Sequence, residues 1–158
     1  MDRRLPFLAI VIGIVGLLPF FACGLAALGL QGNRGALALA AYGATVLSFL
    51  GGVHWGFALG DLSGRGDRAR LGLGVVPSLI GWVALLVVPA ISANVGLGLL
   101  ALGFIGTVVV EDRARRAGLV PAGYMRLRYA LTGVVVLVLV IVIALRLVGA
   151  HIPTSFTD

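Results

Sequence analysis

His54 is the residue in this chain best placed to do chemistry. It sits within a long apolar run, preceded by Gly51-Gly52 and followed by Trp55-Gly56. Asp61 comes seven residues later, on the same helix face but about two turns away, too far for a direct hydrogen bond. A second apolar run ends in Glu111-Asp112, with Thr107 one turn before Glu111. Tyr124, Arg126 and Arg128, then Tyr129 and Thr132, open a third, and Ser78 follows Pro77 in a fourth. An imidazole beside carboxylates can handle protons or hold a polar headgroup, and arginines can pair with acids or bind an anion. Ionisable groups at membrane depth are costly, which makes them functional candidates by default. Packing supplies the alternative: a lone histidine often bonds a neighbouring helix, and acids followed by arginines often form a structural ion-pair cluster. The candidate ligand-binding layer is therefore His54, Trp55, Asp61, Ser78, Glu111, Asp112, Tyr124, Arg126 and Arg128.

No catalytic set is assigned, because nucleophile elbow, phosphate loop, HExxH and CxxC motifs are all missing from the sequence. No cofactor is expected, and metal ligation is disfavoured because His54 lacks partners; His151 is expected on the opposite side. The single cysteine, Cys23, excludes an intramolecular disulfide.

The elements that must position these residues follow from composition. Of 158 residues 60% are apolar and 11% charged, with a mean hydropathy of +1.13. A soluble domain carries about 25% charged residues. Apolar runs at 5–30, 36–59, 71–88, 93–110 and 129–147 are each near the ~20 residues that cross a bilayer as a helix. The expectation is an all-α polytopic membrane bundle of about five transmembrane helices, one domain over 1–158. The first run is too long for a cleaved signal segment and reads as a retained helix with a kink at Pro19. Gly52, Gly56 and Gly60 recur every fourth residue, a spacing that lets a neighbouring backbone approach. The unbroken apolar stretch 134–145 suits lipid contact.

The net charge of +6 comes from arginine alone, and ten of the twelve arginines fall on one side of this topology. The positive-inside rule places that side and the N-terminus in the cytoplasm, with the C-terminus outside. The bacterial inner (cytoplasmic) membrane is the expected location. Arginines in short loops, without interleaved aromatics, argue against nucleic acid.

The polar residues lie at one level, and only Thr45 and Ser48 approach the middle of the membrane. That weighs against a channel and favours a shallow site opening to the cytoplasm or inner leaflet. Three functions are compatible. The first is a non-enzymatic accessory or assembly component of a membrane complex, with a protein partner. The second is a binder or transporter of a small amphipathic molecule, a quinone or lipid, through a pocket around His54. An enzyme using His54 as acid or base is the third, and it needs a second catalytic group that the sequence does not supply.

The same residues carry a family resemblance. The string from Tyr42 to Gly56, ending Gly51-Gly52-Val53-His54-Trp55-Gly56, resembles the hallmark of small membrane proteins called domain of unknown function 3429. Their eukaryotic relative is transmembrane protein 69. Val76-Pro77-Ser78-Leu79-Ile80-Gly81-Trp82 also fits. So does Glu111-Asp112 leading to Pro121 and Tyr124-Met125-Arg126-Leu127-Arg128 ahead of Leu131-Thr132. Gly123 departs from the pattern, which implies an aromatic residue there. The resemblance implies a membrane fold and this choice of residues, without an activity.

Overall fold

In lipid a backbone satisfies its hydrogen bonds only within helices or closed barrels, and every regular element of the described residues is helical. The computed structural model describes residues 7–29, 32–60, 67–116 and 122–149. They form α1 (Phe7–Val15), α2 (Leu18–Leu28), α3 (Gly32–Gly60), α4 (Asp67–Ala90), α5 (Ala93–Arg116) and α6 (Ala122–Leu147). Four stretches are long and apolar enough to cross a membrane: Phe7–Leu28, Gly32–Gly56, Ala93–Arg116 and Gly123–Leu147. The apolar part of α4, Gly74–Ala90, is shorter. The chain is an all-α polytopic bundle.

The first span breaks where Pro19 requires it. Proline has no N–H for the carbonyl four residues earlier, and its ring crowds that carbonyl. The helix therefore stops at Val15 and restarts at Leu18, with Pro19 in the first turn of α2. Tyr42 on α3 donates its hydroxyl to the Gly16 carbonyl at 2.8 Å, so the interruption has a side-chain partner. Below the break, Phe20 meets Tyr42 and Phe104 edge-on, with ring centroids 5.0 and 6.0 Å apart.

The helices outrun their apolar runs at the arginine-rich end. The connection expected over 111–128 is mostly helix: α5 continues to Arg116 and α6 begins at Ala122. Likewise α4 starts at Asp67, inside the expected 61–70 loop. Arginine and glutamate are good helix formers, and Asp112 pairs with Arg115 and Arg116 one turn on. Charge therefore ends the hydrophobic run without ending the helix.

Hydrophobic attraction between helices is largely lost in lipid, so close approach of small residues must do more of the packing. The most extensive helix pair is α3 with α4. There Gly51 and Gly74 bring the two backbones so close that a Cβ on Gly51 would run into the Gly74 carbonyl oxygen. Farther along the seam, a Cβ on Gly81 would lie 3.0 Å from the Ala44 Cα. A Cβ on Gly52 or Gly56, by contrast, would meet nothing within 4 Å among the described residues. The expected contact stripe is thus displaced by one residue, about 100° around the helix. The surroundings of Gly60 lie outside the described residues.

Two inward stripes organise the core. On α5 it runs Leu97, Leu100, Phe104, Thr107, Glu111, and on α6 Arg128, Thr132, Val135, Leu139, Val142, all buried. Both step by threes and fours, the spacing of a left-handed helix pair. Because of it the 134–145 stretch does not serve lipid alone: Leu137, Val140, Ile141 and Leu145 are exposed while Val135, Val138, Leu139 and Val142 fill the interior. At the opposite end, Arg146 joins three other helices. It donates to the Ala27 carbonyl at 2.8 Å, to Asn33 Oδ1 at 2.8 Å and to Asn94 Oδ1 at 3.2 Å.

The glycine assignment is directly testable. Gly51→Ala should lower stability by about 1–3 kcal/mol through overpacking. Gly52→Ala and Gly56→Ala should be neutral or gain up to ~1 kcal/mol from helix propensity. Unfolding midpoints of the three variants in mild detergent check this, and equal losses in all three would contradict it.

Candidate functional site

Glu111 occupies the last turns of α5, where the helix dipole disfavours a negative charge by about 0.3–1 kcal/mol. The larger cost is burial: Glu111 is 1% exposed, and removing an ion from water costs several kcal/mol. Arg128, on the facing stripe of α6 and itself 5% exposed, offsets it. Its Nε donates to Glu111 Oε2 at 2.6 Å, a charge-assisted bond. Its Nη1 donates to Thr132 Oγ1, one turn along, at 3.1 Å. Its Nη2 is buried and has no hydrogen-bond partner among the described residues.

The other carboxylate oxygen faces α3. His54 Nε2, on a residue 5% exposed, lies 3.4 Å from Glu111 Oε1. The Tyr124 hydroxyl approaches the same oxygen at 3.5 Å, a long contact. Thr107, beside Glu111 on the inward stripe, donates its hydroxyl back to the Gly103 carbonyl at 2.7 Å. Three helices thus converge on one carboxylate.

Two small cavities adjoin this cluster. One of about 170 Å³ lies among α3, α4 and α5, lined by His54, Pro77, Ile80, Gly103, Thr107 and Val110 among others. The second, about 240 Å³, lies among α1, α2, α3, α5 and α6. Its walls are apolar apart from Tyr42, Arg128 and Thr132. The Tyr42 hydroxyl is already donated to Gly16, and the Thr132 oxygen already accepts from Arg128. The partnerless Nη2 belongs to a residue that lines this second cavity.

Of the nine candidate residues, the structure brings His54, Glu111, Tyr124 and Arg128 together. Asp112 turns away from Glu111 into a separate, outer cluster with Arg115, Arg116 and the Tyr129 hydroxyl. Trp55 is 45% exposed and lays its indole against Gly74 of α4, on the helix seam. Ser78 is half-buried on α4, outside the bonds joining Glu111, Arg128 and Thr132, and Arg126 is exposed on α6. Asp61 lies outside the described residues. Thr132 and the cavity wall were not among the candidates. A hydroxyl one turn from Arg128 was a readable signal, whereas wall residues such as Val46 and Leu131 carry none.

Residues 5–144 match the family described as protein of unknown function, DUF3429. The chain belongs to this family. Among curated proteins it is similar to transmembrane protein 69 of Xenopus tropicalis, 43% identical over 81 residues, which is 49% of this chain and 32% of that protein. Transmembrane protein 69 of Mus musculus is 38% identical over 81 residues, covering 49% and 33%. The chain therefore spans about a third of the length of the curated relatives it matches. No solved structure matches. Membership joins the helical bundle to a family of membrane-protein character and assigns no role to the cluster.

A buried pair should behave as a unit. Removing one partner, by Glu111→Leu or Arg128→Met, is expected to cost about 3–5 kcal/mol because the other charge is stranded. The double variant should be no less stable than either single one, recovering at least about 3 kcal/mol of the summed loss. A double-mutant cycle of unfolding free energies measures this, with Asp112→Asn, in its outer cluster, expected to leave the midpoint unchanged. Strict additivity of the pair would show that the two groups do not depend on each other.

Proposed function

We propose that this protein is a membrane-embedded, non-enzymatic binder of a small amphipathic molecule. The observation that carries the reading is Arg128 Nη2, buried and without an acceptor among the described residues, on a side chain that lines an apolar cavity of about 240 Å³. A buried polar atom left unpaired costs ~1–3 kcal/mol, more when charged, so such groups are rare and need a reason. A ligand with an acceptor group and an apolar body supplies that reason. The ligand-facing residues are Arg128 and Thr132; Glu111 holds the guanidinium, and His54 and Tyr124 meet the other oxygen of Glu111.

Binding is favoured over transport. The mid-α3 hydroxyls, Thr45 and Ser48, are bonded back to Ala41 and Ala44 of their own helix at 2.9 Å each. They do not extend the polar layer across the membrane. The arginine bias supports placing the cluster's end of the bundle in the cytoplasm and the protein in a bacterial inner membrane.

A second reading, an accessory component of a membrane complex, draws on α3. Its outer face carries exposed Phe49 and Trp55 around Gly52 and Gly56, where an added Cβ would meet nothing within 4 Å among the described residues. That surface suits a close-packed partner helix.

Native mass spectrometry of the tagged full chain, gently extracted with its own lipids, tests the two readings. A reproducible small-molecule adduct is expected, reduced at least about tenfold in Val46→Phe, which fills the cavity and leaves the ion pair intact; tenfold corresponds to ~1.4 kcal/mol. A stoichiometric protein partner with no adduct would instead select the accessory reading.

A further inference from the structure

We infer that the group recognised at Arg128 is a neutral carbonyl oxygen, carried on a single ring or chain that enters sideways from the lipid. This rests on the binding reading above and specifies its ligand. The first argument is charge. Glu111 already neutralises Arg128 through the 2.6 Å bond. An anionic headgroup at Nη2 would set two negative groups against one guanidinium in a water-poor site, leaving one without a counter-charge. A carbonyl oxygen accepts an N–H of Nη2 and leaves the charge balance of the Glu111–Arg128 pair at zero.

Size is the second argument. A cavity of about 240 Å³ falls below the ~300–1,000 Å³ of drug-sized ligand sites. It has room for one ring or a short length of one chain, and not for the paired chains of a glycerophospholipid. The remainder of the molecule must therefore extend outside the bundle.

The route follows from α1. This half-helix buries none of its residues and meets the bundle mainly through α6. Ile12 and Gly13 of α1 line the cavity together with Gly16 at the helix break, and Phe49 of α3 lines it as well. Ile12 and Phe49 are 61% and 71% exposed, so the cavity's rim reaches the bundle's outer surface. In a bilayer that surface is lipid, and a tail passing between α1 and α3 remains in hydrocarbon.

Two sources offer this chemistry: a quinone-type ring and the ester carbonyl of a single-chain lipid. Full-length protein in nanodiscs of zwitterionic lipid would be presented separately with a decyl-substituted benzoquinone, methyl decanoate and decanoate at equal concentration. Adduct occupancy is read by native mass spectrometry. At least one neutral probe should bind about tenfold better than decanoate, and lose about tenfold in Arg128→Lys, which keeps the positive charge but lacks the planar fork. Val46→Phe, which leaves Arg128 in place, should abolish the same adduct. Preference for the quinone or for the ester names the source, and either supports the inference. Decanoate binding as well as or better than both neutral probes overturns the carbonyl assignment while leaving the binding reading intact. The carbonyl assignment falls in the same way if no probe binds although the extracted protein carries a native adduct. If no probe binds and no native adduct exists, both readings fall together.

Discussion

A carboxylate and a guanidinium that have both left water must stay together, and the Glu111–Arg128 pair imposes that condition on the bundle. Glu111 terminates the inward stripe of α5, and Arg128 lies on the inward stripe of α6. The bond between them therefore fixes the rotation of both helices about their axes. Once that rotation is set, Leu100 and Phe104 on one helix and Val135, Leu139 and Val142 on the other face inward as well. His54 brings α3 to the same carboxylate. Such pairs contribute little net stability against an apolar replacement, but leaving one partner alone is expensive. Their effect on this fold is to discriminate against misrotated arrangements, where an apolar seam by itself would tolerate several.

The remaining packing follows a different rule. Contacts among α2, α3, α4 and α5 rely on residues with little or no side chain: Gly35 against Ala26, Gly51 against Gly74, Gly96 against Ala84 and Val88. Large apolar groups such as Phe49, Leu79, Trp82 and Leu102 are turned outward. In water this would be an inside-out surface, but in a bilayer it costs nothing to expose them. The interior is shared by alanine and glycine with leucine, valine and a few rings, Phe20 lying edge-on to both Tyr42 and Phe104.

Four long apolar spans and the bundle class were legible because they depend only on hydropathy summed over about twenty residues. The break at Pro19 was legible for a similarly local reason, since a missing N–H acts wherever the ring occurs. His54, Glu111 and Arg128 stood out as ionisable residues in or beside apolar runs. What the sequence could not supply was helix rotation. Where a helix is apolar all round, periodicity no longer marks an inner face, and residues one apart become equivalent. Gly51 and Gly52 differ only in which meets α4; Glu111 and Asp112 differ only in which faces Arg128. Trp55 beside His54 illustrates the same ambiguity, and Ser78 and Arg126 were selected by type without knowledge of the face they occupy. The cavity was invisible because its walls come from five helices and are mostly ordinary apolar residues.

Arg146 carries an implication for how the protein is made. By charge it is an exception to the arginine asymmetry, and by geometry it is a fastener: its guanidinium ties the last turn of α6 to Ala27, Asn33 and Asn94 on three earlier helices. Those partners leave the ribosome well before it does. Throughout synthesis, the ends of α2, α3 and α5 must wait without this link, their carbonyl and amide oxygens served by water or headgroups. The bundle's arginine-poor end is closed only when α6 is in place.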